Sequence, residues 1–170
     1  MRRAGFSTFH IRRGDFQYPK MKPPASTIVD ATKRLRTKGE VLFIATDERE
    51  KAFFDPFKKD HQIFFLSDFH HLLGNIDKSY YLMIDTIVAS QGRAFIGTWR
   101  STFTGYITRL RGYYGFPTEF SWYFWDEKEQ RYDALSLAQE ATPRSPFYMR
   151  EWPNAWEDID DPLGGEAYVR

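Results

Sequence analysis

The chain has 170 residues, a formal net charge of +1 and no cysteine, and 42% of its residues are hydrophobic. This length and composition predict one domain with a buried core and argue against intrinsic disorder. The balanced charge argues against a protein that mainly grips nucleic acid or anionic lipid, and the lack of cysteine excludes disulfide scaffolds, cysteine nucleophiles and thiolate zinc sites.

The first element along the chain is a predicted strand at Phe6–Ile11, which leads into the turn Arg12-Arg-Gly-Asp15. A proline-rich loop then precedes a helix that Ser26 or Thr27 can cap and that ends near Gly39. A strand followed by a helix of this length is the first half of a βαβ unit.

A second strand and two more helices follow. The apolar run at residues 41–45 predicts a strand that is buried on both faces. It ends in Thr46-Asp47-Glu48, which suits the N-terminal cap of the next helix. A third strand is predicted at residues 63–66 and a third helix at residues 80–90. The predicted apolar side of this third helix consists of Leu82, Ile84, Ile87 and Val88.

The pattern closes with a fourth strand at residues 94–96 and a helix that runs from Gly97-Thr98 to about Gly112. Strands that alternate with helices predict parallel βαβ units, so the expected fold class is α/β with a doubly wound parallel sheet. Such sheets bind ligands at the carboxyl ends of their strands. Three of these ends carry polar motifs, which makes this edge the expected site.

The last third of the chain differs in composition, since four of the five tryptophans lie after residue 115. Trp122-Tyr-Phe-Trp125 predicts either a strand or a packing cluster, and residues 134–140 predict a short helix. We therefore divide the chain into an α/β domain, residues 1–118, and an aromatic and acidic extension, residues 119–170, that packs on it. The end of the extension, from Asp160, is predicted to be disordered.

The motif Phe9-His-Ile-Arg-Arg-Gly-Asp-Phe16 places several polar groups where the first strand ends. Strand alternation points His10 and Arg12 to the same side. A planar and permanently charged arginine there suits a diphosphate, which it can bind through two hydrogen bonds. The alternative is that Arg12 or Arg13 pairs with Asp15 and only fixes the turn. Arg13-Gly14-Asp15 also spells a cell-adhesion tripeptide, which its place after a core strand argues against.

The second motif, Phe95-Ile-Gly-Thr-Trp-Arg-Ser-Thr-Phe-Thr-Gly-Tyr106, runs from the fourth strand into the last helix. Gly97 is predicted to let the backbone approach a ligand. Ser101 and Thr102 stand at the start of the helix, where free N–H groups and the helix dipole favour an anion. Ordinary capping of the helix by Ser101 is the alternative.

Two carboxylates are further candidates. Asp85 is the one acid in the apolar stretch of residues 81–89, so it is either exposed or bound to a specific donor. The paired N–H groups of a guanine base are such a donor. Asp47 is predicted to cap a helix, with a ligand-facing role as the alternative.

Other patterns are weaker. His70 and His71 are expected to be exposed loop residues. Asp158-Ile-Asp160 resembles a metal-binding Asp-x-Asp motif but lies in the acidic tail, so no metal site is predicted. The aromatic cluster at residues 122–125 is expected to belong to the core rather than to a sugar platform.

Three ordered motifs resemble those of the GDP-fucose-dependent fucosyltransferases, in particular the protein O-fucosyltransferase-like group. They are His10-Ile-Arg-Arg-Gly-Asp15, Phe43-Ile-Ala-Thr-Asp47 and Gly97-Thr-Trp-Arg-Ser-Thr-Phe103. The resemblance covers residues 5–115. It implies the Rossmann-like, donor-binding C-terminal half of a GT-B glycosyltransferase, which transfers fucose from GDP-fucose to a protein or glycan hydroxyl with inversion and without a metal or other cofactor.

The resemblance also implies roles for individual residues. Arg12 is implied to hold the β-phosphate and to stabilise the leaving GDP, which makes it the catalytic residue, and Asp85 is implied to recognise guanine. The other residues that it implies in donor binding are His10, Asp47, Ser101, Thr102 and Phe103.

The first motif begins at residue 9, so the resemblance implies a separate N-terminal half-domain that supplies the acceptor contacts and any general base or membrane anchor. It further implies the lumen of the endoplasmic reticulum or Golgi, although the chain shows no apolar signal region after its basic first residues. No nucleic-acid partner and no membrane insertion by this chain are expected. The alternatives are a non-catalytic nucleotide-sugar-binding or interaction module and a nucleotide-free structural remnant.

Overall fold

Five parallel strands and one antiparallel strand form the central sheet of this computed structural model, which describes residues 5–124, 131 and 136–137. The strands are β1 (Phe6–Ile11), β2 (Val41–Thr46), β3 (Ile63–Phe64), β4 (Phe95–Gly97), β5 (Ser121–Tyr123) and β6 (Ser136–Leu137). Their order in the sheet is β3-β2-β1-β4-β5-β6, and only the β5–β6 pair is antiparallel.

Helices connect the strands. The α-helices are α1 (Ala25–Thr32), α2 (Asp55–Lys58), α3 (His70–Leu73), α4 (Tyr81–Ser90) and α5 (Thr102–Tyr113). Short 3₁₀ helices lie at Pro19–Met21, Lys33–Leu35, Lys51–Phe54, Leu66–Phe69, Lys78–Tyr80 and Thr118–Phe120. In the described residues, no helix is long and apolar enough to cross a membrane.

The core lies on both faces of the sheet because the two central strands are buried on both sides. On one face, Phe9 and Ile44 pack with Ile28 of α1 and Phe57 of α2. On the other face, a second cluster joins the sheet to α4 and α5 through Phe43, Ala45, Ala89, Phe95 and Ile107. The predicted α/β class and doubly wound, Rossmann-like sheet are confirmed.

Several predicted boundaries are wrong. Helix α1 begins at Ala25 with Pro24 as its N-terminal cap residue, so neither Ser26 nor Thr27 caps it. Strand β3 has only two residues because the chain turns into a 3₁₀ helix at Leu66. In α4, the side chains of Leu82 and Ile87 are 66% and 45% exposed, because only one flank of this helix meets the sheet.

The last third contributes to the sheet. Trp122 lies in β5, so the strand, one of the two alternatives predicted for residues 122–125, is present there, whereas Trp125 lies outside the described residues. Ser136–Leu137 is a strand, so the short helix predicted over residues 134–140 is wrong at these positions. The division at residue 118 stays a prediction, and the fifth parallel strand begins just beyond it. The tail from Asp160 lies outside the described residues.

A buried arginine ties α5 to the sheet. Arg111 is 0% exposed and donates hydrogen bonds to Ser121 Oγ (2.9 Å), the Gly92 carbonyl (2.6 Å) and the Phe120 carbonyl (3.1 Å). Its guanidinium also stacks on the ring of Phe116 at 4.4 Å. Burial lowers the pKa of Arg111 to about 9, so the cation depends on these acceptors to stay in the interior.

Candidate functional site

A cavity of about 630 Å³ opens at the carboxyl edge of the sheet, beside β1 and between the starts of the loops that follow β2 and β4. Doubly wound sheets have their ligand crevice where successive connections leave to opposite faces. The structure brings all seven predicted site residues to the wall of this one cavity: His10, Arg12, Asp47, Asp85, Ser101, Thr102 and Phe103. Their roles in binding stay predictions.

Arg12 is the cation at the end of β1. Its backbone N–H donates to Thr98 Oγ1 at 2.9 Å, which ties the end of β1 to the start of the loop after β4. Its guanidinium pairs with Asp47 (Nη1 to Oδ2, 2.8 Å) and with Asp15, and a third of the side chain stays exposed to the cavity. Arg12 therefore both fixes the turn and faces the cavity, so the two interpretations are not exclusive.

Asp47 is not the helix cap that its sequence position predicts. Its carboxylate accepts hydrogen bonds from the backbone N–H groups of Arg13 (2.7 Å) and Gly14 (2.9 Å), and also pairs with Arg12. Glu50 caps the 3₁₀ helix at Lys51–Phe54 instead, by accepting from the Ala52 N–H at 3.2 Å. Asp47 thus shapes the turn that presents Arg12.

The turn needs glycine at position 14. A Cβ atom there would lie 2.6 Å from Asp47 Oδ2, which is far inside contact distance. A side chain at position 14 would therefore displace the carboxylate that holds both the turn and Arg12.

The neighbouring Arg13 does not face the cavity. Its Nε donates to Glu48 at 2.8 Å, one Nη donates to the Pro23 carbonyl at 3.1 Å, and its guanidinium stacks on the Phe53 ring at 4.0 Å. These contacts use Arg13 as a structural link between the turn and the proline-rich loop. Of the two adjacent arginines, Arg12 is the one that a ligand can reach.

His10 is a neutral part of the wall. It is 4% exposed, its Nδ1 lies 2.6 Å from Thr104 Oγ1, and its ring packs against Phe103 with 4.7 Å between centroids. Burial, and secondarily the positive charge of Arg12, lowers the pKa of His10 to about 3. At neutral pH the imidazole therefore adds no charge to the cavity.

The start of α5 forms another part of the wall. Ser101 is the cap residue of this helix, but its hydroxyl accepts no capping hydrogen bond, so the capping alternative is wrong. The first N–H groups of an α-helix lack acceptors within the helix, and the dipole of α5 places its positive end here. The preceding Arg100 has a positive φ of 59°, which shapes the sharp entry into the helix.

Gly97 serves an internal contact, and the predicted approach of its backbone to a ligand stays a prediction. A Cβ atom at this position would lie 2.2 Å from Thr104 Cγ2. Glycine thus lets α5 pack closely against β4, and this packing is what brings Thr104 to His10.

Asp85 projects from α4 into the cavity. Its Oδ1 is buried and has no hydrogen-bond partner among the described residues. Burial raises the pKa of Asp85 to about 7, against the opposing charge of Lys51. A buried carboxylate oxygen without a donor is costly, so this position is suited to a ligand that brings N–H groups.

The sequence prediction missed three polar residues at this edge: Thr98, Thr104 and Lys51. The two threonines hold Arg12 and His10, and Lys51 stands near Asp85. Both threonines belong to the second motif, but only the packing of α5 on β4 shows their partners.

His70 and His71 are exposed as predicted, although they lie in α3 rather than in a loop. In the part of the chain that the structure describes, no three metal-ligating side chains come together.

Residues 1–114 match the family model described as GDP-fucose protein O-fucosyltransferase. The chain belongs to the GDP-fucose protein O-fucosyltransferase family. The matched segment spans β1 to α5 and includes all seven cavity residues named above, so the resemblance read from the three motifs is confirmed. Membership in this family assigns the chain a fucosyltransferase-type function. No individual curated protein matches the chain.

Proposed function

We propose that this chain is the donor-binding part of an inverting glycosyltransferase, which transfers fucose from GDP-fucose to a hydroxyl group of a protein or glycan. One observation carries the proposal. The cation Arg12 and the positive end of α5 line the same cavity at the carboxyl edge of the sheet. A diphosphate there would meet positive charge from both elements.

The same arrangement supports a catalytic role for Arg12. When the bond from the sugar to GDP breaks, negative charge develops on the β-phosphate oxygen. A fixed guanidinium and a helix start stabilise that charge without having to move. In the proposal the diphosphate replaces Asp15 on the guanidinium, since the Asp15 side chain is 87% exposed and such surface pairs are weak.

We further propose that the transfer needs no metal ion, because Arg12 and α5 supply the positive charge that a cation would otherwise bring to the diphosphate. The activity of a metal-dependent enzyme disappears in excess chelator. The proposal predicts that transfer by the chain, together with any N-terminal half-domain it requires, is unchanged in EDTA.

Guanine recognition is proposed for Asp85. The carboxylate accepts two N–H groups from the edge of the base, which stabilises its ionised form and lowers its pKa from about 7. Binding of GDP at pH 7 is then expected to release protons. Calorimetric titrations in two buffers with different ionisation enthalpies measure that release.

The direct test is calorimetric titration of the chain with GDP, UDP and ADP. We expect GDP to bind with a dissociation constant in the micromolar range and the other two nucleotides to bind at least tenfold more weakly. Equal affinity for the three nucleotides would mean that Asp85 does not recognise the guanine base. Failure of all three to bind would contradict the proposal as a whole.

A second candidate is a non-catalytic module that binds the nucleotide sugar without turnover. The observation in its favour is that His10 and Asp47, two cavity side chains that could act as a base, are both held by internal contacts, and Asp85 is assigned to the guanine base in the proposal. A turnover assay with labelled GDP-fucose, with and without a candidate N-terminal half-domain, separates the two functions. Binding without turnover under both conditions favours the module.

A further inference from the structure

A second, smaller cavity of about 200 Å³ lies beside the main one. Thr46 and Asp85 line both cavities, so the smaller cavity continues the larger one past the carboxylate. Its other wall residues with polar groups are Lys51, Ser67, His70 and Tyr81. Since the diphosphate is proposed to lie at Arg12, the base at the other end of the nucleotide would reach the small cavity.

Lys51 lies in the wall of this smaller cavity and is exposed to solvent. It begins the 3₁₀ helix that Glu50 caps, and its ammonium lies 3.4 Å from the centroid of the Phe65 ring. A cation above an aromatic face is attracted to the ring, which restrains an otherwise flexible side chain.

The donors of Lys51 are not used by the described residues. Its ammonium makes no ion pair or hydrogen bond with them, whereas Lys58 of α2 is paired with Asp55 at 2.7 Å. The charge of Lys51 nevertheless acts on Asp85, because it opposes the effect of burial on that carboxyl. The cavity wall thus offers a buried carboxylate oxygen without a donor beside a solvent-exposed ammonium that makes no ion pair or hydrogen bond with the described residues.

This pair complements one edge of guanine. The base presents two neighbouring N–H donors and, next to them, the oxygen on C6 as an acceptor. Adenine carries an amino group in place of that oxygen and a bare ring nitrogen in place of the ring N–H. A carboxylate beside an ammonium therefore matches guanine and mismatches adenine.

We propose that Lys51 donates a hydrogen bond to the C6 oxygen of the guanine base and so determines which purine the site accepts. The inference rests on the proposed function, in which Asp85 takes the two N–H groups. Lys51 adds the third contact, which the family resemblance did not indicate. It is a specificity-determining residue rather than a catalytic one, since it lies at the base and not at the reacting bond.

The test is titration of GDP and ADP into the wild-type chain, Lys51→Met and the control Lys58→Met. The control removes the same charge from an exposed lysine of α2 that lines neither cavity. We expect Lys51→Met to weaken GDP binding about tenfold, which is the effect of one hydrogen bond from a charged donor. ADP binding should change by less than about twofold, and Lys58→Met should change neither.

A third nucleotide sharpens the test. Inosine diphosphate keeps the C6 oxygen and lacks the amino group, so Lys51→Met should weaken its binding by the same factor as that of GDP. Lys51→Gln keeps one N–H donor without the charge and should fall between wild type and Lys51→Met, with thermal unfolding confirming that each variant is folded.

Three results would overturn the inference. One is equal weakening of GDP and ADP by Lys51→Met, which would mean that the charge acts on the diphosphate. Another is GDP affinity that stays the same in both Lys51 variants. In either case the wild-type chain still prefers GDP, so the proposed function survives. Absence of GDP binding by the wild-type chain would overturn both.

Discussion

At the scale of single residues, the two adjacent arginines at the end of β1 differ because of their partners. Arg13 is occupied by a carboxylate, a carbonyl and an aromatic ring. Arg12 is held by Asp47 but shares its outer face with the exposed Asp15. In the proposed function, the diphosphate replaces Asp15 in the Arg12–Asp15 pair.

Asp15→Asn tests this exchange. Loss of the carboxylate frees donors of Arg12 and removes a negative charge from the mouth of the cavity. The affinity for GDP should therefore rise about threefold, while the free energy of unfolding changes by less than about 1 kcal/mol. Asp55→Asn is the control, because it breaks another exposed pair, with Lys58, away from the cavity. Weaker GDP binding by Asp15→Asn would show that Asp15 contributes to the site.

His10 makes the stability of the protein depend on pH. Its pKa in the fold is about 3, below the value of about 6.5 for an unfolded histidine, so the unfolded chain takes up the proton first. The contribution of His10 to the free energy of unfolding therefore falls as the pH drops below about 6.5. Between pH 7 and pH 5 the expected loss is about 2 kcal/mol.

The matched variant for this pH dependence is His10→Asn, which removes the titrating imidazole and keeps a polar group opposite Thr104. Asp85 changes stability in the opposite direction over this range, because its pKa is raised in the fold. Denaturant unfolding at pH 7 and pH 5 should therefore be run on both proteins. The wild type should lose about 2 kcal/mol more than His10→Asn. Equal losses would mean that His10 can be protonated within the fold.

At the scale of elements, the alternation of strands and helices was predictable because short apolar runs alternate with segments of helical periodicity. Element boundaries and caps that depend on contacts between distant parts of the sequence were not predictable. Asp47 has the sequence context of a helix cap, yet its carboxylate binds the β1 turn, which is 33 positions earlier at Gly14. Likewise, the apolar residues of α4 did not reveal which side would meet the sheet.

The packing of α5 on β4 can be tested at Gly97. A methyl group at this position would collide with Thr104, so Gly97→Ala should lower the free energy of unfolding by about 2 kcal/mol. Thr104→Ser in the same chain removes the Cγ2 atom that the added methyl group would meet and keeps the hydroxyl that His10 contacts. The double variant should recover part of the lost stability. If Thr104→Ser instead adds to the loss, the two positions do not share this contact.

At the scale of the whole molecule, residues from distant parts of the sequence meet because β1 lies between β2 and β4 in the sheet. The sequence could place the seven predicted residues at one cavity because they lie near strand ends, at the start of α5 or, for Asp85, in an otherwise apolar helix, and their binding roles stay predictions. Lys51 and Thr104 were not, because their positions depend on how a 3₁₀ helix and α5 pack against the sheet. The proposed contact of Lys51 with the base thus depends on the packed structure, whereas the sequence already pointed to Arg12 for the diphosphate and to Asp85 for guanine.

In the proposed function, Arg12 binds the diphosphate of a guanine nucleotide at the carboxyl edge of the sheet. The most direct measurement is calorimetric titration of GDP into the wild-type chain, Arg12→Ala and the control Arg49→Ala, an exposed arginine that does not line the cavity. Loss of a bidentate charged contact should weaken GDP binding by a factor of about 50 or more in Arg12→Ala, and Arg49→Ala should match the wild type. Equal affinities for the wild type and Arg12→Ala would show that Arg12 does not bind the diphosphate.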